Sequence, residues 1–380
     1  MTTPPRNLSS LGHGLPEDIV DEILDQLSGE DASLLKYALI SRLWLHKTTA
    51  RFFGSFTVRS RRNVGRLFEL QNLLTSSERL PAHIHTLFVE VTPINAATAA
   101  TLPHHLPWLQ SFTLKGLAID WDFEPSFLPS TGQHLETLTL CILPLSFISC
   151  VTRQFASVDT LRVYFATHAG EALAPRGERV GVKRLVVEAV PGHALPVIAA
   201  LFEPEKLSSI QLDLDGTWSP VSPDDISTFF EVAGGHITEL DCTLSGGGWT
   251  MPSKLIHGLR ACARLRTAII STPRTQLFSV PLWEGTIALL ASLPLGVQNV
   301  RFQTYSRILL NRPENLQTFL GTVDWHKVEI ALEHCVELIS LKIAVFGFEY
   351  QPVSFIGRCS CETYVREQLR GRVLQSASFV

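Results

Sequence analysis

The chain has 380 residues, with 32 Lys+Arg against 36 Asp+Glu and a formal net charge of −4. At roughly 150 residues per domain that length allows two or three domains or one elongated one, and the 45% hydrophobic share excludes wholesale disorder. The slight acidity leaves no overall electrostatic footprint for nucleic acid or an anionic membrane, and no apolar run reaches the roughly 20 residues of a transmembrane helix.

Residues 1–14 carry Pro4, Pro5, Arg6 and Gly12 but no apolar core of signal-peptide type, and read as a short disordered lead. A helix is expected from Leu15 to Leu27. Pro16 suits the first turn, and Glu17 and Asp18 sit where the helix dipole favours anions. Ile19, Ile23 and Leu27 recur every four residues, with Val20 and Leu24 widening the stripe. Ser28-Gly29 ends it. A second short helix is expected near Asp31 or Ser33, carrying Leu34, Leu35 and Ala38. A third is expected from about Ser41 to Phe53, with Leu39, Ile40, Leu43, Trp44, Phe52 and Phe53 as its apolar material. So small a unit buries too little surface to stand alone, so it is expected to complete its core against something else.

At these residues the segment resembles an F-box. The family's opening Leu-Pro-x-Glu/Asp-Ile matches Leu15-Pro16-Glu17-Asp18-Ile19, its Ile-Leu-x-x-Leu matches Ile23-Leu24-Asp25-Gln26-Leu27, and its Val-Ser-Arg-x-Trp element matches Ile40-Ser41-Arg42-Leu43-Trp44. Arg66 to His85 resembles the bridge that follows the motif in fungal F-box proteins. The resemblance implies an F-box over 15–58 and a helical linker over 59–83. It also implies docking on a Skp-family adaptor of a cullin–RING ubiquitin ligase, through Leu15, Pro16, Glu17, Ile19, Ile23, Leu27, Leu35, Ile40 and Trp44.

From Ile84 onward one phrase returns: apolar-x-x-apolar-x-apolar. Its clearest copies are Ile84/Leu87/Val89, Leu109/Phe112/Leu114, Leu135/Leu138/Leu140, Val158/Leu161/Val163, Val182/Leu185/Val187 and Leu207/Ile210/Leu212. Weaker copies start at Ile237, Leu265, Val297 and Leu338. The first five spacings are 25, 26, 23, 24 and 25 residues, a run not easily accidental. The last two apolar positions alternate as one face of a strand. Apolar stretches such as Pro196–Phe202, Ile226–Ala233, Leu255–Cys262 and Thr286–Leu293 are expected to run back as helices, stacking strand-plus-return units into a solenoid.

The period resembles that of leucine-rich repeats, over residues 84–345. That family's turn Asn or Cys is replaced by Thr92, Leu117, Leu143, Ala166, Val190, Asp215 and Ser245, so an irregular solenoid is expected rather than a regular horseshoe. The alternative is an ordinary α/β domain with a mostly parallel sheet. Residues 346–380 are expected to be a C-terminal cap or tail, with a helix at Val353–Leu374. The expected fold class is therefore α/β: a short N-terminal three-helix F-box followed by an irregular leucine-rich-repeat-type solenoid with a parallel strand face.

Motifs for chemistry are sparse. There is no phosphate-cradling Gly-x-x-x-x-Gly-Lys-Ser/Thr and no Gly-x-Ser-x-Gly. Gly246-Gly247-Gly248 reads as a repeat loop, and His104-His105 lacks a third metal ligand at supporting spacing. Seven scattered cysteines, of which only Cys359 and Cys361 are close together, read as reduced thiols in a cytoplasmic or nuclear protein. No catalytic, metal or cofactor residue is assigned, and no nucleic-acid or membrane partner is expected.

The remaining candidate is the outward strand face, where Arg and Tyr are favoured interface anchors. There Lys115, Arg162 and Arg184 are expected to form a basic strip beside an acidic one of Asp213, Glu239 and Asp241, with Tyr164 between them as the anchor for an unknown target protein. The reading is a substrate-recognition subunit of a Skp–cullin–F-box ubiquitin ligase. The alternatives are a non-ligase interaction scaffold and an α/β enzyme with an unrecognised site.

Overall fold

The computed structural model describes residues 17–27, 40, 42–60, 65–77, 79–91, 94–116, 119–120, 131–164, 179–213, 223–243, 258–271, 283–305, 320–346 and 377–379. Each copy of the repeated phrase is a strand: β2 (Thr86–Val91), β4 (Ser111–Lys115), β6 (His134–Cys141), β7 (Ser157–Tyr164), β8 (Gly181–Glu188), β9 (Ser209–Asp213), β10 (Glu239–Thr243), β11 (Thr267–Ser271), β12 (Asn299–Tyr305) and β13 (Ser340–Phe346). With β1 (Ser55–Ser60) and β14 (Ala377–Phe379) they form one open twelve-stranded sheet in sequence order. All its pairings are parallel. Two short strands, β3 (Ile94–Asn95) and β5 (Ile119–Asp120), pair separately beyond it.

The register follows from the phrase. Leu138 faces Leu161, Leu161 faces Leu185, and Leu185 faces Ile210, and all four are fully buried. The second inward row runs Leu140, Val163, Val187 and Leu212 in the same way. Parallel neighbours need a long crossover, and here it is the return segment. The returns expected at Pro196–Phe202, Ile226–Ala233 and Thr286–Leu293 contain helices at Ala194–Ala199, Pro223–Ala233 and Trp283–Ala291. Numbered along the chain, the helices with both ends among the described residues are α1 (Glu17–Leu27), α2 (Arg42–Gly54), α3 (Gly65–Ser76), α4 (Ala96–Thr101), α5 (Leu145–Thr152), α6 (Ala194–Ala199), α7 (Pro223–Ala233), α8 (Trp283–Ala291) and α9 (Trp325–Glu333). Successive return helices lie side by side, α5 against α6 and α6 against α7. One continuous core runs from Val58 to Ile343 between strands and returns, with Phe302 edge-on to Trp325 at 6.3 Å.

Turns close without the missing Asn. At the start of the strands a single carbonyl accepts two N–H groups from the next repeat: His85 O from Gln110 and Ser111, Thr238 O from Arg266 and Thr267, Gln298 O from Ile339 and Ser340. At the other end Ile142 and Ala189 adopt left-handed backbone, with φ of 57° and 51°. Their N–H groups donate to Tyr164 O and Asp213 O of the next strand. The next residues, Leu143 and Val190, stand where the Asn was sought and are fully buried. A main-chain bond and a buried aliphatic thus do the work of an amide side chain.

The solenoid begins earlier than the boundary at residue 84 implies. Phe53-Gly54-Ser55-Phe56-Thr57-Val58 is another copy of the phrase, and β1 pairs Phe56 with Leu87 and Val58 with Val89. Within residues 59–83, α3, which buries Leu67, Leu70 and Leu74, lies between β1 and β2 in the chain as the returns lie between later strands. At the far end Ala377 and Phe379 pair with Leu341 and Ile343, so residues 377–379 continue the sheet as its last strand. The helices expected near residues 31–38 and 353–374 lie outside the described residues.

Leu161→Ala removes a fully buried side chain and should cost about 2–5 kcal/mol in urea unfolding; a cost below 1 kcal/mol would contradict the central position of β7. Ala189→Gly should raise stability by about 0.5–1 kcal/mol, because an L-residue is strained at that φ. A loss of stability would refute the left-handed turn.

Candidate functional site

Alternation turns every second strand residue away from the core, and the pairing register aligns these residues in three rows across the sheet. The first runs Thr86, Ser111, Thr137, Thr160, Arg184, Ser209 and Glu239. The second runs Phe88, Thr113, Thr139, Arg162, Val186, Gln211 and Asp241, and the third Glu90, Lys115, Cys141, Tyr164, Glu188, Asp213 and Thr243. Early strands thus present mostly hydroxyls, β7 and β8 the arginines, and β8 to β10 the carboxylates.

The expected basic strip of three is not formed. Lys115, Arg162 and Arg184 lie in three different rows, and Lys115 is taken by Glu90 at 2.9 Å. Glu90 also approaches Arg59 at 3.6 Å, whose guanidinium lies over the Phe88 ring at 5.2 Å. Arg162 and Arg184 are exposed and held by neutral partners. Arg162 Nη1 donates to Tyr164 Oη at 3.3 Å, and Arg184 Nη2 to Gln211 Oε1 at 3.2 Å. Among the described residues neither makes an ion pair. Asp213, Glu239 and Asp241 also spread over the three rows, with Glu188 directly beside Asp213. Nor is the face uniformly open: Val186, Thr243, Ser271 and Ala344 point outward yet are only 1–4% exposed.

The amino-terminal unit has its own small core. Val20, Leu24 and Trp44 are buried together, with Ile23 and Leu43 against them. Asp21 on α1 ties the helices: its carboxylate accepts from Lys47 at 2.9 Å and Arg51 at 3.4 Å, and its backbone carbonyl accepts from Arg51 at 3.0 Å. Of the residues implicated in adaptor docking, Ile19 and Ile40 are exposed and Ile23 is half-buried. Trp44 is 7% exposed. It supports the unit from within rather than forming its surface. Glu17 and Leu27 bound α1, while Leu15, Pro16 and Leu35 lie outside the described residues.

Other constellations offer little chemistry. Cys141, Cys150, Cys242, Cys262 and Cys335 are free thiols. Burial raises the pKa of Cys242, and pushes that of Cys262 up to about 12, so both stay protonated at neutral pH. His134 Nδ1 lies 2.8 Å from Ser157 Oγ and its Nε2 3.5 Å from Asp159. Lys183, however, holds Asp159 at 2.6 Å, in a pair open to solvent. The charge that an activated serine would need behind its histidine is thus already engaged. Among the described residues no three His, Cys, Asp or Glu side chains cluster to hold a metal, and no helix is long and apolar enough to cross a membrane.

No protein family matches the chain, and no curated protein sequence matches it. A similar solved structure is that of the leucine-rich repeat-containing protein LegL7 from Legionella pneumophila, at 13% identity and a TM-score of 0.40, covering 84% of this chain and 93% of that one. A likeness of that size assigns neither fold nor function; the repeat architecture rests on the strand register.

The Lys47 ammonium bonded to Asp21, aided by Arg51, holds the Asp21 carboxyl below its ordinary value against an opposing push from desolvation. A depressed folded-state pKa means coupling that is complete above the ordinary Asp range, near 3.9, and lost as pH falls through the lowered value. The protection of α1 amides, taken relative to their intrinsic exchange rate at each pH, should therefore fall only on strong acidification, and Asp21→Asn should abolish that pH dependence. Exchange that ignores Asp21→Asn would show that the pair does not hold the helices.

Proposed function

We propose that the chain is a protein-recognition scaffold and not an enzyme, its strand face capturing a target protein. The observation that carries this reading is the asymmetry of the sheet. One side is sealed by the returns, while the other, closed over at Val186, Thr243, Ser271 and Ala344, presents elsewhere rows of hydroxyl, guanidinium and carboxylate groups held in fixed register by the backbone. Such a surface binds by shape and charge complementarity. On this reading the buried thiols are structural and no side chain acts on a substrate.

The more specific reading is that α1 and α2 belong to an F-box that docks on a Skp-family adaptor, so that the chain delivers its target to a cullin–RING ubiquitin ligase. Its support is the motif at Leu15–Ile19, Ile23–Leu27 and Ile40–Trp44, together with Ile19 at 38% and Ile40 at 59% exposure on a unit whose own core is small. Unpartnered aliphatic side chains on such helices suit a helical partner. The function would then be proximity: tethering raises the effective concentration of target lysines near a ubiquitin-conjugating enzyme.

Ile19→Asp combined with Ile40→Asp should weaken binding to a purified Skp-family adaptor by about 2 kcal/mol or more. Both side chains are exposed, so the thermal unfolding of the chain should be unchanged. Wild-type adaptor affinity in that double variant sinks the ligase reading and leaves the scaffold. Trp44→Ala is the poorer test, because loss of a buried side chain opens the unit itself.

A further inference from the structure

We infer that the target segment lies along the outward rows of β1, β2, β4, β6 and β7. It is an extended, uncharged, hydrogen-bonding peptide with one acidic or phosphorylated residue over Arg162. The inference rests on the strand face being the target-binding surface, and adds which part of that face is used and what chemistry it accepts.

These strands are neighbours in the sheet, and every residue they contribute to the three outward rows is exposed or half-buried. Among the described residues, the outward positions that are closed over, Val186, Thr243, Ser271 and Ala344, all lie on β8 or beyond. The part of the face free of such closure is therefore its amino-terminal half. Ser55 of β1 pairs with Thr86, so the first row opens with an unbroken run of hydroxyls: Ser55, Thr86, Ser111, Thr137 and Thr160. The second row adds Thr57, Thr113 and Thr139 around Phe88. Among the described residues none of these hydroxyls has a bonding partner. Each can both donate and accept, and the branched Cβ of threonine restricts where its hydroxyl points. The first row thus offers hydrogen bonds at intervals of about 4.8 Å. From β1 to β7 is four strand steps, about 19 Å, which about six extended residues span.

Charge selects the occupant. The first two rows carry none before Arg162, and in the third Glu90 already meets both Arg59 at 3.6 Å and Lys115 at 2.9 Å. A charged side chain laid on the hydroxyls would lose hydration without meeting an opposite charge. At β7 the balance changes. Arg162 makes no ion pair among the described residues and spends one donor on the Tyr164 hydroxyl. The rest of its planar fork is left to grip a carboxylate or phosphate. A sugar chain suits the surface less well. Phe88, the one aromatic ring within the hydroxyl rows, already has the Arg59 guanidinium over it at 5.2 Å, so that ring face is taken.

The test uses the full-length chain and labelled peptides, blocked at both ends, in fluorescence anisotropy at low salt. The probes are Ser-Asn-Thr-Gln-Ser-Thr-Glu and its reversed sequence, each also made with phosphoserine or Lys in place of Glu, and once with Lys at the three central positions. In one of the two directions the Glu or phosphoserine probe should bind about tenfold more tightly than the Lys-ended and Lys-centred ones. Thr137→Val plus Thr139→Val removes two hydroxyls and keeps the branched shape. It should cost about tenfold in affinity with thermal unfolding unchanged. Arg162→Gln should remove the preference for an acidic end. A stronger phosphoserine probe assigns a phosphorylated target, and parity assigns a carboxylate one. Equal affinity for all peptides, no binding by the wild type, or indifference to the double Val variant overturns the inference. So does binding of maltohexaose where no peptide binds. Once a target is in hand, capture that survives Thr113→Arg plus Thr139→Arg but not Ser209→Arg plus Asn299→Arg overturns this inference alone. Capture that survives both overturns the strand face as the target surface.

Discussion

A one-residue slip in any pairing of the main sheet would turn an entire inward row toward solvent, and that penalty governs the rest of the molecule. Leu138, Leu161, Leu185 and Ile210 are held opposite one another because each has nowhere else to be buried. The same alternation places Thr139, Arg162, Val186 and Gln211 in line on the other side. The outward rows are thus a by-product of the core. Their chemistry is freer to vary because burial of the inward rows already sets the register.

That division explains what could be read from residues alone. The inward positions are constrained by burial, so the phrase at Leu135, Val158 and Val182 was legible, and the sheet followed. The copy at Phe53, Phe56 and Val58 obeys the same phrase but sits where helix and F-box patterns compete for the same residues. It was assigned to the amino-terminal module and the first strand was missed. Leu143 and Val190 looked like defects at an Asn position, yet left-handed backbone at Ile142 and Ala189 lets an aliphatic residue fill that place. Pro144 and Pro191, four residues beyond the last inward strand residue in each case, were the available signal for such a turn.

The outward face was legible in composition but not in arrangement. Row membership depends on register, which placed Lys115, Arg162 and Arg184 in separate rows. Ion pairing depends on neighbours about 25 residues away, which is why Glu90 could claim Lys115. Exposure depends on what lies above a strand, so alternation misjudged Val186 and Thr243. Trp44 turns inward for a related reason: in a unit with so little apolar material, the largest side chain is needed inside.

Helix α2 takes part in two cores. Near its start Leu43 and Trp44 pack with α1, while near its end Phe53 packs against the main core beside Phe56 of β1. Gly54 closes the helix and Ser55 opens the strand without an intervening residue, and His85 N–H clamps Gly54 O at 3.0 Å. The helix, about 20 Å long, therefore acts as an axle rather than a leash. Whatever is fastened to α1 and α2 is aimed along a direction set by the sheet, and it can sweep only the arc that this axle permits.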